Sequence, residues 1–170
     1  MEKSRLPVAV SSIPDAEVLR RWADQGCDRW ISVCGVGVAD VLGEDEAALL
    51  PGCVFRLADP FSMSAQWQGE EIPNRQIFLA EATPALRNNL RRAVHEATSA
   101  LLRGERIVVY CHRGQSRSPL VAAAALMLAF RQTPLEAWDS IADQFEVGPL
   151  SELGLSALVW LQGEFEDYPE

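Results

Sequence analysis

The chain has 170 residues, 48% hydrophobic and 23% charged, with a formal net charge of -9. That length and apolar content suit one folded domain, residues 1–170 with a core of about 13–165, and argue against a disordered chain. The acidic balance speaks against nucleic acid or an anionic membrane surface as a bulk partner, so any anion site must build its own positive field.

The first stretch, Met1 to Ser12, lacks the apolar centre of a signal peptide. The longest apolar run, Pro119 to Phe130, is too short to span a bilayer. The expected location is therefore the cytoplasm, with no membrane partner. Cys27, Cys34, Cys53 and Cys111 show no Cys-x-x-Cys spacing, which predicts reduced thiols rather than a zinc or thioredoxin-like site.

Asp15 to Gln25 reads as a helix with Val18, Leu19 and Trp22 on one face and Gly26 as its stop. Trp30 to Val36 and Cys53 to Leu57 read as buried strands, the second ended by Ala58-Asp59-Pro60. Ser62 to Gln76 is polar and aperiodic, and reads as a loop. From Pro84 to Gly104 a long amphipathic helix carries the stripe Leu86, Leu90, Val94, Ala97 and Leu101. Arg106 to Tyr110 is a strand. The helix from Pro119 to Phe130 is apolar all round and is expected in the core. Helices at Leu135 to Gln144 and Leu150 to Glu164 complete the chain, with Glu164 to Asp167 as an acidic, fraying end. Strands alternating with helices predict an α/β fold, a central and mostly parallel sheet flanked by helices on both faces. Ligands in such sheets sit beyond the carboxyl ends of the strands, where Cys111 falls.

The segment Tyr110-Cys111-His112-Arg113-Gly114-Gln115-Ser116-Arg117-Ser118 places a thiol in a loop of amides at a helix N-terminus. The helix and Arg117 both favour a thiolate. The amides from His112 to Arg117 can curl around a tetrahedral anion, with Gly114 permitting the tight turn. Arg117 can grip two phosphate oxygens at once, and Ser118 can donate a hydrogen bond to the sulfur.

Cys111 to Arg117 resembles the Cys-x5-Arg loop of the cysteine-dependent protein tyrosine phosphatases, and Ser118 matches their compact dual-specificity branch. Ile13-Pro14-Asp15 with its helix, the Trp30–Val36 strand, the Asp59 loop, the helix before the cysteine loop and the tail helices follow the family's order, over about Ile13 to Phe165. The resemblance implies a phosphotyrosine-phosphatase-like fold and a phosphomonoester hydrolase. Cys111 would attack phosphorus, and water would hydrolyse the cysteinyl-phosphate, with no metal or cofactor. It implies Asp59 as general acid and then base, Arg117 as phosphate clamp and Ser118 as stabiliser of the leaving thiolate. His112, Arg113, Gly114, Gln115, Ser116 and Arg117 would form the phosphate cradle. The implied partner is a phosphorylated protein or a small phosphomonoester.

Two features depart from that pattern. Tyr110 stands where the family has a histidine that orders the loop and keeps the thiol ionised, which predicts a less activated Cys111. Asp59 lies 52 residues before Cys111, and the surplus falls between Phe61 and Thr83. That segment carries Trp67, Glu70, Glu71 and Arg75, and is expected beside the pocket as a lid or flap, or else as a plain surface insertion. Two alternatives stand beside the phosphatase. Rhodanese-like sulfurtransferases also place Tyr-Cys after a β-run, but this chain lacks their Asp-Val-Arg and Gly-His-Ile-Pro-Gly-Ala segments. A catalytically weak phosphate-binding module is the other.

Arg113 is expected to recognise a second negative group at the mouth, and the absence of lysine in the loop weighs against a lipid headgroup. His95 reads as a solvent-facing helix residue. Cys34 or Cys53 could approach Cys111 under oxidation, although small buried side chains are the simpler reading. Trp22, Trp138 and Trp160 read as core, and Gln144 as a candidate for positioning the hydrolytic water.

Overall fold

The β-branched run before Cys111 forms the second of four parallel strands. The computed structural model describes residues 6–166; Met1 to Arg5 and Asp167 to Glu170 lie outside them. The strands are β1 (Val8–Ser11), β2 (Arg29–Ser32), β3 (Gly52–Val54) and β4 (Ile107–Tyr110), in the order β1-β4-β2-β3. Val109 pairs with Val10 on one side and Ile31 on the other. All four residues of β4 are buried. Successive side chains point to opposite faces, so both faces of the sheet are covered, as a parallel sheet requires.

The helices are α1 (Ala16–Asp24), α2 (Val38–Leu42), α3 (Glu44–Ala47), α4 (Gln76–Glu81), α5 (Pro84–Leu102), α6 (Arg117–Ala129), α7 (Pro134–Gln144) and α8 (Glu152–Glu164). Local chemistry sets their starts. Asp15, Thr83, Thr133 and Ser151 each accept a hydrogen bond from an amide in the first turn of α1, α5, α7 and α8. The expected stripe of α5 is buried, and the helix packs on β2, β4 and α6. Every residue of α6 from Ser118 to Met127 is buried. Its four successive alanines, Ala122 to Ala125, let α5, α7, α8, β1 and β4 approach it closely. Among the described residues no helix is long and apolar enough to cross a membrane.

The short elements differ most from the sequence expectation, which held no α2, α3 or α4. β1 was not anticipated, because Val8-Ala9-Val10 is too short to show a period; pairing with β4 makes it a strand. β2 ends at Ser32 rather than Val36, since the chain turns at Gly35 in a left-handed conformation (φ +85°). β3 ends at Val54, and Arg56 meets Cys34 in a single antiparallel bridge. The segment after Asp59 is irregular, as expected of Ser62 to Gln76, apart from a 3-10 turn at Phe61–Met63 and the short α4.

Candidate active site

Parallel strands put their carboxyl ends on one edge of the sheet, and Cys111 leaves β4 there. The Cys111 amide donates to the Ser11 carbonyl at 3.2 Å, so the loop starts as a continuation of the β1–β4 ladder. The side chain is 2% exposed and lies at the base of the loop. Gly114 N–H donates to its sulfur at 3.2 Å, and Ser118 Oγ lies 3.3 Å from it. The Ser118 hydroxyl, itself buried, also reaches the Ser11 carbonyl at 3.5 Å. It has one proton. With a neutral thiol the S–H can donate to Ser118 and the hydroxyl to Ser11; with a thiolate the hydroxyl turns to the sulfur.

Gly114 is required by the geometry. Its φ is +69°, and a Cβ there would sit 2.7 Å from the Ser11 carbonyl carbon and the Ser12 nitrogen. The loop therefore packs backbone to backbone against the end of β1. The amides of His112, Arg113, Gln115 and Ser116 have no acceptor among the described residues. They stand at the N-terminus of α6, a 13-residue helix whose partial positive charge falls on the same place.

Arg117 and Asp59 complete the site. Arg117 Nη1 donates to the Leu57 carbonyl at 2.9 Å, which ties the guanidinium to the chain leading to Asp59. Its Nε is buried and has no hydrogen-bond partner, and Asp59 Oδ2 lies 3.9 Å from it. An unpartnered guanidinium N–H beside unpartnered amides is a site for an oxyanion. The Asp59 carboxylate accepts from Ser62 N at 3.2 Å and from Ser116 Oγ at 2.7 Å.

A cavity of about 500 Å³ opens above these groups. Cys111, Arg117 and Asp59 line it, together with His112, Arg113, Gln115 and Ser116. Gly114 and Ser118 lie below its wall and act on the sulfur from beneath. His112 and Arg113 are exposed, which places both at the mouth. Gln144 is exposed at the end of α7 and does not line the cavity, and neither do Trp67, Glu70, Glu71 and Arg75, of which the first three line a separate cavity with Glu152.

Tyr110 packs into the core at 1% exposure, and its hydroxyl donates to the Val36 carbonyl at 2.8 Å. Burial pushes its phenol up to about 12, so it remains a donor. It thus braces the β2 exit turn against β4 rather than contacting the sulfur.

The long segment after Asp59 lies beside the cavity, bound to α8. Trp67 N–H donates to the Leu150 carbonyl at 2.9 Å, and Glu152 N–H to Ala65 at 2.8 Å. Ser64 Oγ accepts from Leu153 N at 3.2 Å. Further along, Phe78 is fully buried against Trp160, with ring centroids 4.9 Å apart. Phe61, Ser62, Ser64 and Gln66 from this segment line the cavity, as do Trp138 of α7 and the Gly148–Ser151 turn. The segment from Phe61 was expected beside the pocket, whereas Trp138 and the Gly148–Ser151 turn escaped sequence reading. Trp138 has the spacing of a core residue and is 7% exposed, so nothing in the pattern separates wall from core. Gly148-Pro149 falls between two predicted helices, where the sequence carries no sign of a wall.

The four cysteines are free thiols. Burial raises the Cys27 and Cys53 thiols to about 11, which leaves them protonated and inert. Cys53 pairs with Ile31 on the edge strand, two strands from β4. At about 4.8 Å per strand that is beyond disulfide reach of Cys111 without backbone movement. Cys34 is buried 3.7 Å from the Ser32 hydroxyl. His95 is exposed and stacks on Phe165.

No protein-family model matches the chain, and no curated protein sequence is significantly similar to it. The fold is that of solved phosphatases. PTPMT1 in complex with PI(5)P gives a TM-score of 0.61 at 18% identity, over 94% of this chain and 92% of that one. Human DUSP28 gives 0.62 at 16% identity, over 96% of each chain. The Cydia pomonella PTP-2 phosphatase gives 0.61 at 17% identity, over 94% of this chain and 89% of that one. The chain therefore has the α/β fold of the dual-specificity and tyrosine phosphatases along nearly its whole length.

Proposed function

We propose that the protein is a phosphomonoester hydrolase of the dual-specificity or tyrosine type, working through a cysteinyl-phosphate. One observation carries the reading. A buried cysteine sulfur lies beneath four loop amides and a guanidinium N–H that lack acceptors, with a carboxylate across the same cavity. A phosphate in that position would satisfy the donors and present phosphorus to the sulfur. The Cys111 thiolate forms an S–P bond as the P–O bond to the leaving group breaks, and Asp59 gives its proton to the departing oxygen. Water then attacks phosphorus while Asp59 takes back a proton. The P–S bond breaks, and the thiolate returns to the Gly114 and Ser118 hydrogen bonds. Phe61, Trp138 and Leu150 give the phosphorylated group an apolar wall, which suits an aryl phosphate such as a phosphotyrosine side chain.

The test is hydrolysis of p-nitrophenyl phosphate, with Cys111→Ser abolishing turnover and mass spectrometry of quenched Asp59→Ala protein finding phosphate on Cys111. Phosphate binding without turnover between about pH 5 and 8 would reduce the protein to a binding module. Sulfur transfer from thiosulfate to cyanide would make it a sulfurtransferase.

A further inference from the structure

Ser116 occupies the N-cap position of α6, where a serine side chain ordinarily accepts a hydrogen bond from the first turn. It makes no such bond, although Asp15, Thr83, Thr133 and Ser151 all do at their helices. Its hydroxyl donates instead to Asp59 Oδ2 at 2.7 Å, the shortest polar contact given for that carboxyl group. The first-turn amides of α6 stay open for an anion as a result.

We propose that Ser116 is the positioning residue of the general acid, selecting the lone pair of Asp59 from which the proton is delivered. This rests on the phosphatase reading of the site. A carboxylate offers about four lone-pair directions, two on each oxygen. Ser62 N–H takes one on Oδ1, and the Ser116 hydroxyl takes one on Oδ2. Oδ2 is also the oxygen facing Arg117 Nε, on the side where the phosphate would sit. Its second lone pair is thereby left to carry the proton toward the leaving oxygen. In the first step the Asp59 O–H bond breaks and the proton goes to the leaving alkoxide or phenoxide. Asp59 becomes a carboxylate that still accepts from Ser116. In the second step the same lone pair takes a proton from water as the S–P bond breaks.

The Asp59 backbone is held without Ser116. Leu57 is bound by Arg117, and the segment beyond Ser62 is hydrogen-bonded to α8. Loss of the Ser116 hydroxyl thus leaves the carboxyl group held at Oδ1 alone, with Oδ2 no longer fixed, while the loop stays in place. The loss falls on proton delivery, which matters most for leaving groups that depart badly without it.

The experiment measures kcat for p-nitrophenyl phosphate, a good leaving group, and for an alkyl phosphate, a poor one. Ser116→Ala is expected to lower kcat about tenfold on the alkyl ester and at most about twofold on the p-nitrophenyl ester, since orientation is one part of the 10²- to 10⁴-fold that general acid catalysis supplies. Ser116→Thr, which keeps the hydroxyl, is expected to restore most of the loss. In an Asp59→Ala background, Ser116→Ala should add nothing. Equal losses on both esters, or a full further loss without Asp59, would overturn the proposal. So would failure of Ser116→Ala to be inhibited by inorganic phosphate, because the cradle rather than the acid would then depend on the serine. If the unaltered protein hydrolyses neither ester, the phosphatase reading itself falls and takes this assignment with it.

Discussion

Replacing Gly114 by alanine tests the backbone arrangement under the sulfur. The residue sits at φ +69°, where a side chain costs about 1–2 kcal/mol. The added Cβ would lie 2.7 Å from the Ser11 carbonyl carbon and the Ser12 nitrogen, and 2.9 Å from the Ser11 oxygen. These are backbone atoms and cannot rotate away. Ser11 is also fixed in register opposite Tyr110, and its carbonyl holds the Cys111 amide. The loop must therefore lift from β1, which breaks the 3.2 Å bond from Gly114 N–H to the sulfur. A hydrogen bond of this kind contributes about 0.5–1.5 kcal/mol. Together these give about 1.5–3.5 kcal/mol, or roughly 3–14 °C in Tm for a chain of this size. Thermal unfolding followed by circular dichroism measures the first effect. Titration with inorganic phosphate measures the second, with at least a tenfold loss of affinity expected from about 1.4 kcal/mol of displaced donors. A Gly114→Ala protein that melts within about 2 °C of the parent and binds phosphate equally well would refute this account of the loop.

Three further outcomes follow from the structure. Tyr110→Phe removes the 2.8 Å bond to Val36 and should lower stability in urea by about 1 kcal/mol. Because burial raises the Tyr110 phenol to about 12, above its unfolded value, that stabilisation is present below about pH 10 and is lost as pH climbs toward 12. Spectrophotometric titration should find one tyrosine resisting ionisation, and two tyrosines ionising together near pH 10 would contradict it. Arg29 and Arg103 hold the Glu105 carboxyl down to about 2. The advantage of the parent over Glu105→Gln should thus be full above about pH 4.5 and fade as pH falls to about 2. Solvent screening limits it to about 1 kcal/mol, and an undiminished advantage at the acid end would count against the ion pairs. Phe78→Ala should lose about 3–5 kcal/mol in chemical denaturation, because the ring is fully buried between Phe61 and Trp160. A loss under about 1 kcal/mol would mean that the segment beside the cavity is not anchored there.

The long, strongly patterned elements were legible because their own residues specify them. The stripe of α5, the apolar α6 and the β-branched β4 bury the positions that periodicity assigns to the core. The cysteine loop was legible for a related reason. Its cysteine, glycine, arginine and serine stand within eight residues of one another, so local sequence carries their juxtaposition. Asp59 could be placed after a strand, but nothing in its neighbourhood says that Ser116 will meet it at 2.7 Å. The short elements were obscure. Val8-Ala9-Val10 is a strand only because β4 is beside it, and α4 is held through Phe78 and Ser156 of α8.

The order of residues thus determines a thiol in an anion-binding turn at a helix N-terminus, with an upstream carboxylate and a helical core behind it. Those properties follow from backbone conformation and side-chain type within a few residues. The pocket was decided only in three dimensions. Trp138, Phe61 and the Gly148–Ser151 turn become its wall through packing between segments far apart in the chain. Tyr110, which stands where the resembled family has a loop-ordering histidine, reaches across to Val36. A β-strand side chain points away from its neighbour, and burial then sends the hydroxyl to the nearest unpaired carbonyl.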